Sequence, residues 1–181
     1  MTSQLLEFRI HKGMKSKWPR VSVVMSNYNG LSLNLIPETL KLILKNNYPN
    51  LEVILIDNAS SDKSTNVILK EFGSNTKFKL IQNHINMYSQ GLNLGFKNST
   101  GEYIAFFNND VVVENGYFQK FVKFLEGQPR VALAQGKLLS YFDHSIIASA
   151  GETMDEYGNP ITIGAGLNAK TSFNKKDFID N

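Results

Sequence analysis

The sequence contains no cysteine, so no disulfide and no thiolate metal site can form, and a reducing compartment is compatible with it. Its three histidines, His11, His84 and His144, are scattered without the spacing of a zinc site. No apolar run approaches the roughly 18–20 residues that a membrane-spanning helix needs, and no secretory h-region opens the chain. A cytoplasmic location is therefore expected. The body also lacks a basic patch interleaved with aromatics, so nucleic acid is not an expected partner. Internal repeats and low-complexity tracts are missing as well.

What is present suits one globular domain. The chain has 181 residues, 42% of them hydrophobic, enough to bury most of its apolar surface without covalent staples. The net charge of +3 hides an asymmetry. Residues 1–20 hold Arg9, Lys12, Lys15, Lys17 and Arg20 against one acid, Glu7, whereas the remainder is nearly neutral. Residues 1–19 are read as a basic leader, either simply solvated or in peripheral contact with anionic headgroups at the inner face of a membrane.

From Val21 onward, apolar runs alternate with amphipathic segments. The runs "VSVVM" (21–25), "LEVILID" (51–57), "KFKLIQN" (77–83), "GEYIAFF" (101–107) and "RVALAQG" (130–136) read as five strands. Between them, Ile36, Leu40, Ile43 and Leu44 recur at helical spacing behind Pro37, and Asp62 can cap a helix that Gly73 stops. The segment 88–99 reads as a helix weakened by two glycines. Phe118, Phe121, Val122 and Leu125 mark one face of another. Alternating strands and helices imply right-handed crossovers and a mainly parallel sheet covered on both faces. Beyond about residue 137 the pattern changes to a hairpin-like flap, with "SIIASAG" and "NPITIGAG" flanking the turn-like "DEYGNP".

Three polar clusters sit just past strand ends: Asn27-Tyr28-Asn29, Asp57-Asn58 and Asn108-Asn109-Asp110. In open parallel sheets that rim is where ligands bind. Loops and helix caps use the same residue types anyway, but three clusters converging on one rim point to a site. Asp110 alone is a poor cage for a divalent ion, yet one carboxylate suffices for magnesium when substrate phosphates and water supply the other oxygens. Asn108 and Asn109 offer amide donors and acceptors without added repulsion. Asp57 is suited to accept the imide N–H of uracil or thymine, and Tyr28 either stacks on that base or fills the core. The valines after Asp110 are expected to return the chain to the core.

These residues carry a resemblance. "VSVVMSNYNG", "YPNLEVILIDNASSDKST", "GLNLGFKNSTGEYIAFFNNDV" and "ASAGETMDEYGNP" resemble, in order, successive blocks of family 2 inverting glycosyltransferases, over roughly residues 20–165. The "NND" triplet resembles the rhamnosyltransferase-like branch. The resemblance implies an α/β glycosyltransferase A-type fold over residues 20–181, with the C-terminal flap appended. It implies a UDP- or dTDP-sugar donor, Mg²⁺ or Mn²⁺ as cofactor, and a glycan or lipid-linked acceptor. Carried over residue by residue, Asn27, Tyr28 and Asn29 line the nucleotide, Asp57 and Asn58 approach the base, and Asn93 approaches the diphosphate. Asn108 and Asn109 stand in the Asp-X-Asp motif, with Asp110 as its metal-binding carboxylate.

Three departures accompany the match. Asn108 replaces an aspartate, and Met87 stands near a common glycine. The acidic pair that supplies the family's general base has no counterpart before the chain ends at "KKDFIDN". The expectation is therefore a truncated donor half, its alternative being a catalytically silent nucleotide-sugar-binding module. Glu152, Asp155 and Glu156 lie in the flap and make poor candidates for the base. A phospho-acceptor receiver would need an acidic pair where Asn27-Tyr28-Asn29 stands. A dinucleotide-binding dehydrogenase would need its glycines after the first strand.

Overall fold

A computed structural model describes residues 18–31 and 35–174; the basic leader up to residue 17 and the terminal "KKDFIDN" lie outside the described residues. Two compact units divide at residues 134 and 135. The first holds β1 (Val21–Asn27), α1 (Leu35–Leu44), β2 (Leu51–Asn58), α2 (Ser64–Phe72), β3 (Phe78–Asn83), α3 (Tyr88–Lys97), β4 (Tyr103–Phe107) and α4 (Tyr117–Glu126).

Its four strands form one parallel sheet in the order β3-β2-β1-β4. Successive crossovers step from β1 to β3 in one direction. The chain then returns past β1 to lay down β4. The switch in direction therefore falls between β1 and β4, and β1 is buried along its whole length.

Side-chain alternation assigns the helices to faces. Val24 and Ile56 look toward α3, where Gly95 is seated against both. On the other face Asn27 meets Ser64 of α2, and Ile36 of α1 lies beside Gly30. Phe118 of α4 reaches the aromatic pair Tyr48 and Phe107. The buried stripe Ile36, Leu40 and Ile43 of α1 follows the expected helical spacing. Pro37 falls in the first turn, where its missing N–H would have had no intrahelical partner.

The two glycines that weaken α3 as a helix are what let it lie on the sheet. A Cβ on Gly91 would stand 2.4 Å from Oδ1 of Asn58, and one on Gly95 would stand 2.4 Å from Cγ1 of Val24.

Two sequence expectations are corrected. Residues 130–136 form no strand, and Leu133 is exposed. Val131 and Leu133 are the only large apolar residues there, and the alanines that follow each, Ala132 and Ala134, have low strand preference and little surface to bury. Of the valines after Asp110 only Val113 is buried, while Val112 is exposed. Gly73 ends α2 as expected, in a right-handed conformation with its N–H donated to the Leu69 carbonyl.

The second unit contains the expected hairpin. β7 (Glu152–Met154) pairs antiparallel with β8 (Pro160–Thr162) around 155–159, preceded by the short pair β5 (Leu138–Leu139) and β6 (Ile147–Ser149). Asp155 builds the hairpin turn. Its Oδ1 accepts the N–H groups of Tyr157 and Asn159, and its Oδ2 accepts the Asn159 amide. Gly158 takes the positive φ of 81°.

Candidate functional site

At the carboxyl end of the sheet the polar residues do converge, but they divide by face. On the α1/α2 face lies a closed network. Asn27, fully buried, shares the two hydrogens of Nδ2 among Asp57 Oδ1 (2.9 Å), Ser64 Oγ (3.1 Å) and Ser60 Oγ (3.2 Å). Ser60 Oγ donates to Asp57 Oδ1 (2.5 Å), and its N–H donates to Asp57 Oδ2 (3.2 Å). A carboxylate that is 3% exposed, with no cation among these partners, is thus stabilised by donors alone.

Asn29 extends the network. Its N–H donates to Ser60 Oγ, and its Oδ1 accepts the N–H groups of Ser61 and Asp62. Asp62 in turn accepts from the Ser64 hydroxyl, from Ser64 N at the start of α2 and from Leu31 N. Burial alone would raise the Asp62 carboxyl; these hydrogen bonds hold it below its ordinary value. The loops after β1 and β2 are therefore cross-tied. Among the described residues each contains one non-glycine residue at positive φ, Asn29 at 48° and Ala59 at 58°. Gly30 must be glycine, because a Cβ there would lie 2.1 Å from Oδ1 of Asn27.

On the α3 face, Asn58 is also buried and spent internally. Its Nδ2 donates to Ser26 Oγ (2.7 Å) and its Oδ1 accepts from Asn83 Nδ2 (3.0 Å), directly beneath Gly91. It seats α3. Asn93, expected near the diphosphate, is exposed on the side of α3 turned away from Gly91 and Gly95, roughly 180° around at 100° per residue. The structure does not bring Asn93 to the rim group.

The triplet after β4 separates into three environments. Asn109 turns inward: its Nδ2 donates to Asn27 Oδ1 (3.4 Å) and its carbonyl accepts from Thr39 Oγ1 (3.2 Å). Asn108 turns toward α3, where its Oδ1 accepts the phenol of Tyr88 (3.3 Å). Asp110 is exposed, and among the described residues no hydrogen bond or ion pair occupies its carboxylate. Burial and then the nearby Asp110 charge raise the Tyr88 phenol above its ordinary value, so it is a proton donor at neutral pH. Tyr28 is half exposed, so its ring is not a core residue.

The sequence reading missed Ser60, Ser64 and Tyr88. The run "SSDKS" directly after a strand signalled hydroxyl partners for Asp57. Nothing in the sequence marked Tyr88, whose role depends on where α3 begins.

A family model described as Glycosyl transferase family 2 matches residues 22–164. An uncharacterized glycosyltransferase of Haemophilus influenzae is 29% identical over 147 residues, covering 79% of this chain and 45% of the relative. The GalNAc(5)-diNAcBac-PP-undecaprenol beta-1,3-glucosyltransferase of Campylobacter jejuni is 26% identical over 164 residues, covering 89% of this chain and 48% of the relative. Among solved structures, the mannosyltransferase of Pyrobaculum calidifontis in complex with GDP-Man and Mn²⁺ superposes with a TM-score of 0.54 at 26% identity, covering 59% of this chain and 32% of that one. The chain thus spans less than half the length of these relatives.

Proposed function

Because the chain belongs to glycosyl transferase family 2, we propose that it carries the donor-binding part of an enzyme moving a sugar from a nucleoside diphosphate to a hydroxyl group. The acceptor is a glycan or a lipid-linked saccharide, and the anomeric carbon inverts. UDP and dTDP are the proposed donor carriers, the second because of the rhamnosyltransferase-like form of the triplet. The observation that supports this reading best is the rim itself. Residues from β1, β2 and β4 meet there beside the switch point of a parallel sheet, and the buried carboxylate of Asp57 is already oriented by Asn27 and Ser60.

In this reading Asp57 accepts the ring N–H of a pyrimidine, and the exposed face of Tyr28 receives the base. Asn29 holds the loop that lines the nucleotide. Asp110 fits a divalent cation in one respect: its carboxylate is exposed and uncommitted. Among the described residues no group of three or more His, Asp or Glu gathers to complete a cage. That donor set suits Mg²⁺ or Mn²⁺ only with nucleotide phosphates and water as further ligands. When bound, such an ion would neutralise charge on a departing diphosphate. Asp155 is not proposed as the base that takes the acceptor proton, because its carboxylate is consumed by the 155–159 turn.

Calorimetric titration with UDP, dTDP and GDP, each with and without Mn²⁺, tests the reading. The expected result is Mn²⁺-dependent binding of UDP or dTDP. Binding of GDP alone would overturn the role given to Asp57, and binding of none would overturn the donor site.

A further inference from the structure

Asn108 is the residue at which the triplet departs from two carboxylates, and its surroundings say what an amide does there. Its oxygen is occupied by the phenol of Tyr88, at 3.3 Å. Its Nδ2 has no hydrogen-bond partner among the described residues, although the side chain is only partly exposed. An amide offers one acceptor end and one donor end. A partner that claims the oxygen therefore decides that the N–H₂ is what the rim presents. A carboxylate at this position could present only acceptors.

Tyr88 is well suited to that task. It is the first residue of α3, and α3 is seated closely on β1 and β2 by Gly91 and Gly95, so the ring is carried by a rigid element. The neighbouring Asp110 carboxylate is the acceptor-only member of the pair. Side by side, the two residues offer complementary groups: an N–H donor for a ligand oxygen at Asn108 and an anionic oxygen for a cation at Asp110.

Resting on the donor reading above, we propose that Tyr88 is a positioning residue. By donating to Oδ1 of Asn108 it fixes that amide with Nδ2 outward, where it donates to an oxygen of the nucleotide, either phosphate or ribose. An aromatic ring alone would fill the same space but leave the amide free to turn over.

The test is a double-variant cycle read by calorimetry with Mn²⁺, using UDP and uridine as the two probes. Tyr88→Phe keeps the ring and removes the donor. Its expected effect on UDP binding is a loss of about 3- to 10-fold, the size of one hydrogen bond. Asn108→Ala is expected to lose at least as much, and Tyr88→Phe added to Asn108→Ala is expected to lose nothing more. A merely structural Tyr88 would weaken binding further in the Asn108→Ala background, and that result would overturn the proposal. So would a Tyr88→Phe variant that binds UDP as the parent does. Loss with UDP alone would assign the Asn108 donor to a phosphate oxygen, and loss with both probes to the ribose; each supports the proposal. A parent that binds neither probe overturns the donor reading and this inference with it, whereas a binding parent with an unaffected Tyr88→Phe overturns only the inference.

Discussion

Replacing Gly95 by alanine sets two effects of known size against each other. Alanine is favoured over glycine inside a helix by about 0.8–1.0 kcal/mol, so the substitution would stabilise an isolated α3. The new Cβ, however, would lie 2.4 Å from Cγ1 of Val24 and 3.3 Å from Cγ1 of Ile56. Non-bonded carbons prefer roughly 3.5–4.0 Å, so the helix or the strand must give by about 1 Å. Val24 and Ile56 lie fully buried in the two central strands and have nowhere to retreat. Over-packing of this kind costs about 1–3 kcal/mol. The expected net effect is a loss of about 1 kcal/mol, up to about 2. At roughly 2–4 °C per kcal/mol for a chain of this size, Tm should fall by several degrees.

Gly127, which follows α4, supplies the control. It is right-handed, with φ −82°, and a Cβ there would meet nothing closer than 3.5 Å. Gly127→Ala should therefore raise stability by about 0.4–1 kcal/mol. Thermal unfolding of the parent and both variants in one buffer reads the two signs together. If Gly95→Ala melts at or above the parent, α3 is not seated on the sheet as described.

Three further outcomes are expected. Asn27→Asp would place a second carboxylate about 3 Å from Asp57, and repulsion at an effective dielectric near 20 predicts a loss of about 5 kcal/mol at neutral pH, partly recovered in acid; an unchanged Tm would remove the Asn27–Asp57 contact. Burial would raise the Glu52 carboxyl, but hydrogen bonds from Ser22 and Thr100 and the nearby Arg20 hold it below its ordinary value. A depressed carboxyl contributes stability that is full above its unfolded pKa of about 4.5 and is lost as pH falls through the folded value. Glu52→Gln should accordingly cost about 1–3 kcal/mol at pH 7 and flatten the acid limb of the stability profile, and an unaltered limb would contradict the assignment. Asp110→Ala, at an exposed position, should change Tm by little and remove the Mn²⁺-dependent part of UDP binding; retention of that part would place the cation elsewhere.

β1, β2 and β4 were legible because each is an apolar run of aliphatic or aromatic residues ending in a polar cluster, and the sheet buries them where such runs belong; β3, at the sheet edge with no buried residue, was legible only from the apolar residues interspersed in its polar sequence. Their order was not legible, since nothing local tells β4 to pair with β1 instead of β3. Residues 130–136 show the limit of the same signal: alternation alone, with alanine in place of larger residues, predicts a strand that has too little to bury. The 155–159 turn was readable because its aspartate and glycine, and the proline that follows it, have local reasons to be there. At the rim, residue type indicated where polar groups would gather but not which were already satisfied. Asn27 and Asn58 look like binding residues in sequence, yet their amides are committed to Asp57, Ser26 and Asn83. Asn93 fails for a different reason: only the seating of Gly91 and Gly95 fixes which way α3 turns it.

The hydrogen bonds that Asn29 shares with Ser60, Ser61 and Asp62 have a thermodynamic consequence. A binding loop that a ligand must freeze forfeits roughly 1–2 kcal/mol for each residue it orders. At Asn29 and residues 60–62 that ordering entropy is already spent in folding, set against the φ strain of Asn29 and Ala59, so a small molecule docking against these residues is spared that part of the cost of binding.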